Sequence, residues 1–299
     1  MNIRIGFGLG TRTVTNDPKR FDPMVDGLEK HGFDSLWLSE RVSGDCPDPV
    51  VGLAYAAGRT TRIKFGMSVM VLPGRNPVLV AQELASLDRL SNGRLLPAFG
   101  LGVADPREQQ AFGVERKERA PWFNEALPLL RRLWSEDDVE HHGERFDLDG
   151  ITVRPKPVQQ PMDVWLGGQA PSELRRVGRL GDGWLPSFCD ARDIEAGIPA
   201  IRVAADEAER AIDPEHFGAL VAYSHEAVPD VFLPFVQKRR PDVTDVTQII
   251  PAGHEALVTR LKEMIDAGAS KFVVLPIVEP DDWDAEIDAL ADAVLPLQA

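Results

Sequence analysis

Apolar residues in this chain recur at two periods, and the switches between them mark strands from helices. Ile63 to Val71 is a short run rich in branched side chains and closed by Pro73 and Gly74, the pattern of a strand buried on both faces. From Val78 to Leu90 the period changes, with Val78, Leu79, Ala81, Leu84, Ala85 and Leu87 following one helical face. Pro77 suits the first turn, where the N–H has no intrahelical partner, and Gly93 in Ser91-Asn92-Gly93 supplies the stop. Arg94 to Phe99 is the next strand and opens into Gly100-Leu101-Gly102. Together these segments make one βαβ unit, whose crossover is right-handed.

The same alternation runs through the rest of the chain. Ile3 to Leu9 is a strand, and a helix from about Pro18 to His31 buries Phe21, Met24, Val25 and Leu28. Asp34 to Leu38 is the second strand, ending at Ser39-Glu40-Arg41, and Asp48-Pro49 caps a helix reaching about Arg59. After the fourth strand, Asp105-Pro106-Arg107-Glu108 has the cap, proline and acid of a helix start, and a longer helix spans about Ala120 to Trp134. Turn signals at Gly143-Glu144 and Asp149-Gly150 make Val139 to Pro157 a small excursion between short alternating runs. Strands follow at Asp163 to Leu166, Gly183 to Pro186, Phe217 to Tyr223 and Lys271 to Leu275. Helices are expected from near Pro171, over about Ile194 to Ala211, and over about Asp281 to Leu295. Eight such alternations predict a closed parallel TIM (β/α)8 barrel with insertions in its strand-end loops, one domain over 1–299. Pro229 to Pro251, with Lys238-Arg239-Arg240-Pro241 inside it, has no clear period and reads as a surface connection or a mobile lid.

Composition narrows the function classes. Hydrophobic residues at 43% and charged residues at 27% are ordinary for a soluble globular chain. Two cysteines imply no disulfide framework, and a start that runs straight into a strand leaves no room for a secretory signal, so the cytoplasm is the expected compartment. A net charge of −14 without a long basic cluster argues against nucleic acid and against anionic membranes as partners. No apolar run approaches the ~20 residues of a membrane span.

In a parallel barrel the chemistry sits where strands end at their carboxyl side. Those positions are Gly6 to Gly10, Ser39-Glu40-Arg41, Ser68-Val69, Gly100-Leu101-Gly102, Gly167-Gly168-Gln169-Ala170 and Pro186-Ser187. Most are small and few can ionise, which suits a large planar cofactor better than acid–base hydrolysis. Gly167 to Ala170, between a strand and a helix beginning at Pro171, directs free N–H groups at one spot suited to a phosphate, unless it is simply a tight turn needing glycine. Gly100 and Gly102 permit close approach, but the third glycine of a dinucleotide fingerprint is missing. His31, His141, His142, His216, His225 and His254 are scattered, and no metal centre is expected. Cys46 and Cys189 read as small hydrophobes, and Trp37, Trp165 and Trp184 as core or site wall.

Four stretches carry a family resemblance: SVMVLPGRNPVLVAQELASLDRLSNGRLLPAFGLG, FDSLWLSER at Phe33 to Arg41, VWLGGQAPSELRRVGRLGDGW at Val164 to Trp184, and IDAGASKFVVLP at Ile265 to Pro276. In this order they resemble the luciferase-like monooxygenase family of flavin- and deazaflavin-dependent oxidoreductases. The resemblance implies hydride transfer between the deazaflavin coenzyme F420 and a small organic substrate, in a homodimer. Its alternatives are an FMN-dependent monooxygenase working with a separate flavin reductase, and a flavin-binding relative without catalysis. It further implies a non-proline cis peptide at Ser68-Val69 backing the central ring, and contact of Gly167, Gly168, Gln169 and Ala170 with the cofactor's phosphate. Glu40 would stand near the ring as the motif's acid. Relatives often follow that acid with histidine; here Arg41 stands instead, and guanidinium cannot act as a base. Arg41 would then stabilise an anionic reduced ring, hold an acidic substrate group, or form a structural ion pair.

Overall fold

A computed structural model describes residues 1–298. Its strands in chain order are β1 (Arg4–Leu9), β2 (Ser35–Leu38), β3 (Lys64–Met67), β4 (Met70–Val71), β5 (Leu95–Leu96), β6 (Ala98–Gly100), β7 (Val139–His142), β8 (Asp147–Ile151), β9 (Trp165–Leu166), β10 (Gly183–Trp184), β11 (Gly218–Tyr223) and β12 (Lys271–Pro276). β3 and β4 are one barrel strand interrupted at Ser68–Val69, whose peptide is cis as the resemblance implies. β5 and β6 are likewise one strand, broken at Pro97, which has no N–H to give a ladder. Parallel pairing runs β11-β12-β1-β2-β3-β5 and, through the continuations of the last two, β4-β6-β9-β10. Parallel bridges Trp184↔Phe217 and Ser187↔Leu220 return the sheet to β11 and close the eight-stranded barrel.

Large rings fill the interior. Trp37, Ala98, Trp165, Leu185 and Val273 pack together there with Val69, Leu96 and Leu220. A Cβ on Gly66 would lie 2.2 Å from Trp37, and one on Gly183 would lie 2.5 Å from Trp165, so glycine on the adjoining strand makes room for each indole. Trp184 points outward instead, against Gly197, and its Nε1 donates to the Gly168 carbonyl at 2.8 Å.

The helices enclose this sheet: α1 (Pro18–His31), α2 (Pro49–Arg59), α3 (Pro77–Leu90), α4 (Pro106–Phe112), α5 (Arg119–Ser135), α6 (Pro171–Leu180), α7 (Ala191–Asp206), α8 (Phe232–Gln237), α9 (His254–Asp266) and α10 (Trp283–Val294). α7 begins before the expected Ile194 because Asp190 caps it, accepting from the Arg192 and Asp193 N–H groups. The expected excursion is an antiparallel hairpin of β7 and β8, on which His141 meets Glu125 and His142 meets Asp147. Pro229 to Pro251 is neither a plain connection nor an open lid. It contains α8 and folds around Val236, Val243, Ile249 and Ile250, which pack on Phe188 and Ala222. Among the described residues, no helix is long and apolar enough to cross a membrane.

One polar knot ties β11 to two outer helices. Tyr223, buried at the end of β11, donates its hydroxyl to Glu286 of α10 at 2.6 Å. Nδ1 of His225 lies 3.0 Å and Nε2 of His254 3.1 Å from the same carboxylate. Burial alone would raise the pKa of Glu286, but hydrogen bonds from His225, His254 and Tyr223 outweigh it and hold the group at about 2. A carboxyl depressed on folding stabilises the protein above its unfolded pKa and loses that contribution as pH falls through the folded value. Stability is therefore expected to drop by roughly 3 kcal/mol between ~pH 4.5 and ~pH 2 through this group alone. Urea unfolding across that range should show the drop in the wild type and a flatter profile in Glu286→Gln, which starts less stable at neutral pH.

Candidate active site

Apart from Gly6, which sits within β1 against Ser35, the strand-end residues singled out in the sequence lie at one end of the barrel, but their partners change what several can do. Glu40 follows β2 and is buried, with its side chain 5% exposed. Its carboxylate accepts the Val71 N–H at 2.6 Å and pairs with the Arg75 guanidinium, which also donates from Nε to the Val71 carbonyl at 2.9 Å. Burial pushes the Glu40 pKa up, and the Val71 N–H and Arg75 only partly counter it. Arg75 had no signal beyond its place in the loop before Asn76-Pro77.

Arg41 has the contacts of a structural ion pair. Its guanidinium lies 3.3 Å from Asp105 and 3.9 Å from Glu108, and its Nε donates to Ser43 Oγ at 3.2 Å. Glu108 is buried and accepts Ser43 N–H at 3.0 Å and Ser43 Oγ at 2.6 Å. Burial would raise its pKa, but the Ser43 and Val42 donors and Arg41 bring it below the usual range. The loop after β2 is thereby fastened to the start of α4.

The cis Ser68–Val69 peptide occupies the floor of the mouth. Ser68 Oγ lies 3.1 Å from Ser39 Oγ, and Val69 joins the interior cluster beside Trp165. Gly100 and Gly167 flank the valine: a Cβ on Gly100 would strike its Cγ2, and one on Gly167 would come within 3.7 Å of Cγ1. Ser68, Val69, Gly100 and Gly167 thus form one small-residue platform. Gly102, at φ +79°, packs over Val71, and its carbonyl accepts from buried Arg119 at 3.2 Å.

The Gly167–Ala170 turn differs from expectation at the point that matters for an anion. Its N–H groups are not free: those of Gln169 and Ala170 both donate to Glu173 at 2.9 Å. An acid three residues after the cap reaches back across the helix start, as in a capping box. Glu173 was readable in Ala170-Pro171-Ser172-Glu173, and it occupies the position assigned to a phosphate.

Two further cations reach the mouth. Arg12, after β1, and Arg239, in the folded insertion, lie 5.9 and 4.3 Å from the Phe235 ring centre, and Arg239 also lies 4.9 Å from that of Phe188. Burial and the charge of Arg41 lower the pKa of Arg239. Neither arginine forms an ion pair among the described residues, whereas Arg240 pairs with Asp190, Asp193 and Asp242. Cys189 is buried and its thiol is pushed up to about 12, consistent with a small hydrophobe.

A model of the luciferase-like monooxygenase family matches residues 2–247. The F420-dependent glucose-6-phosphate dehydrogenase of Kineococcus radiotolerans is 33% identical over 186 residues, 58% of this chain and 54% of that protein. Its counterpart from Gordonia bronchialis is 32% identical over 222 residues, 70% of this chain and 64% of the relative. The match therefore spans less than two thirds of either relative. Among solved structures, an F420-dependent secondary alcohol dehydrogenase in complex with an F420-acetone adduct superposes with a TM-score of 0.82 at 20% identity, covering all of both chains. The oxygenating constituent of 3,6-diketocamphane monooxygenase from Pseudomonas putida, in complex with FMN, gives 0.79 at 18% identity and covers 100% of this chain and 99% of the other. Both likenesses are to the same barrel.

Arg41→Ala is expected to lower stability by about 1 kcal/mol, the scale of a partly exposed ion-pair cluster, and to speed amide exchange in α4 while leaving α10 unchanged. Arg41→Lys should recover part of the stability. Unchanged exchange in α4 would show that the Asp105 and Glu108 contacts do not fasten this loop.

Proposed function

The chain belongs to the luciferase-like monooxygenase family, and from that premise we propose that it is an oxidoreductase transferring a hydride between coenzyme F420 and a small organic substrate. The observation that carries this reading is the platform of Ser68, Val69, Gly100 and Gly167, small and apolar but for the serine hydroxyl, at the end of the barrel where a flat ring can lie against backbone. The acids nearby are already engaged, Glu40 by Arg75 and Glu108 by Ser43, which leaves few groups for hydrolytic acid–base chemistry. The relatives at 32–33% identity bear F420-dependent names, which favours the deazaflavin over FMN.

When bound, the deazaflavin supplies the centre that accepts or donates hydride. The chain's residues hold and shield it. Val69, Gly100 and Gly167 would support the ring, and Gly102 with the loop fastened by Arg41 would help enclose it. Glu40, whose burial favours its protonated form, is the candidate proton-holding group, at its carboxyl oxygens beside Arg75. Arg41 contributes charge and position rather than base catalysis. The Gly167–Ala170 loop takes the cofactor's phosphate if that anion displaces the Glu173 carboxylate from the Gln169 and Ala170 amides.

FMN is the second reading, because the same platform accepts its ring; a monooxygenase of that type would need a separate reductase. A flavin binder without turnover is the third. Fluorescence titration should give F420 a Kd at least ~10-fold below that of FMN, a difference of about 1.4 kcal/mol. Reduced F420 on the protein should persist in air, and steady turnover would exclude the non-catalytic reading. Binding of FMN alone would overturn the assignment.

Glu173 gives a sharper test of the phosphate position. Glu173→Gln removes a negative charge while keeping an acceptor for the two amides, so F420 affinity should rise several-fold. Unchanged affinity, measured by the same titration, would move the anion away from this loop, with Arg12 and Arg239 the nearest unpaired cations at the mouth.

A further inference from the structure

Three side chains that the oxidoreductase reading leaves unused converge beside the barrel. His225 follows β11, His254 is the first residue of α9, and Glu286 stands in the first turn of α10. Backbone pairing sets the first two side by side: the Ser224 N–H donates to Pro251 at 3.0 Å, and the Gly253 N–H donates to Ser224 at 2.7 Å. Glu286 reaches them from the neighbouring helix, steadied by the Tyr223 hydroxyl at 2.6 Å.

The donor atoms are arranged as ligands are. Nδ1 of His225 and Nε2 of His254 lie 3.0 and 3.1 Å from different oxygens of Glu286, and one ligand atom from each residue fits within a 4.8 Å span. Ligands placed ~2.0–2.1 Å from a tetrahedral ion stand about 3.3 Å apart, so small shifts would admit one. Nε2 of His225 is buried without a hydrogen-bond partner, and the Val278 backbone carbonyl lies close to the ring. A ligating histidine commonly donates its other ring N–H to such a carbonyl. The histidine side chains are 26% and 23% exposed, so the cluster is reached from solvent.

We propose that His225, His254 and Glu286 form a binding site for a divalent first-row transition metal of the Zn2+ or Co2+ kind. Two imidazoles and one carboxylate, with an open fourth position, suit such ions better than Mg2+ or Ca2+, which prefer oxygen ligands. Its place points to a cross-link: a bound ion would join the exit of β11 to α9 and α10 without touching the small-residue platform. The inference stands independently of the cofactor reading.

The test uses tag-free full-length protein stripped with EDTA. Zn2+ titration by calorimetry should give one site per chain and raise the melting temperature, and Co2+ should give the visible bands of a low-coordinate site. His225→Ala and His254→Ala should each weaken Zn2+ binding on the order of 100-fold, at or beyond the upper end of second-shell losses. His142→Ala, at the exposed hairpin, should leave it unchanged. Absence of stoichiometric Zn2+ binding to the wild type would overturn the proposal without reference to any variant. Binding that survives both histidine changes would overturn it as well and leave a cluster held together by protons alone.

Discussion

Two indole rings inside the barrel set conditions that the surrounding strands have to meet. Trp37 and Trp165 fill the interior, and Gly66 and Gly183 stand where any side chain would collide with them. Gly6 obeys a related limit, since a Cβ there would meet Ser35, whose hydroxyl accepts the Trp37 Nε1 proton at 2.8 Å. Strands thinned by glycine bring backbone close to backbone, and the same economy continues to the mouth at Gly100 and Gly167. The platform is thus continuous with the packing beneath it. Val69 belongs to both, as a member of the interior cluster and as the residue flanked by the two glycines.

Charge at the mouth follows a second constraint. The chain carries −14 overall, yet the acids nearest the platform are spent on the protein itself. Glu40 answers Arg75, Asp105 and Glu108 answer Arg41, and Glu173 answers two backbone amides. Arg12 and Arg239 remain without acidic partners among the described residues, stacked on Phe235. An acidic molecule therefore presents a locally cationic rim over an apolar floor.

The eight strands and the helices capped by Asp17, Asp48, Asn76 and Asp105 were legible because period and cap chemistry are local. The barrel's carboxyl end could be read off by topology, which is why the proposed site residues lie at one end of the molecule. The cis bond at Ser68–Val69 left no trace in the hydrophobic pattern and came through resemblance alone. α9 is announced only by Leu257, Leu261 and Met264 on its buried face, because its N-cap is Gly253, which has no side chain to accept from the helix start. The insertion from Pro229 to Pro251 lacked a single period since its apolar residues close on one another around a small centre of their own. Long-range partners were the true blind spot. Nothing near Glu40 announces Arg75, and nothing near His225 announces His254 or Glu286.

The departure at Arg41 now has a physical consequence. A histidine there would be free to take or give a proton near pH 7, but it would hold Asp105 and Glu108 only when charged. Arginine is charged always, and its fork reaches Asp105, Glu108 and Ser43 from one position. The exchange trades a titrating group for a permanent fastening of the α4 loop. It also leaves a fixed positive charge close enough to depress Arg239, so the two cations repel and each gains from an anion placed between them. Glu40 is the buried acid beside the platform, and burial raises its pKa. Arg75 limits that rise, because its attraction for the carboxylate opposes the protonation that burial favours.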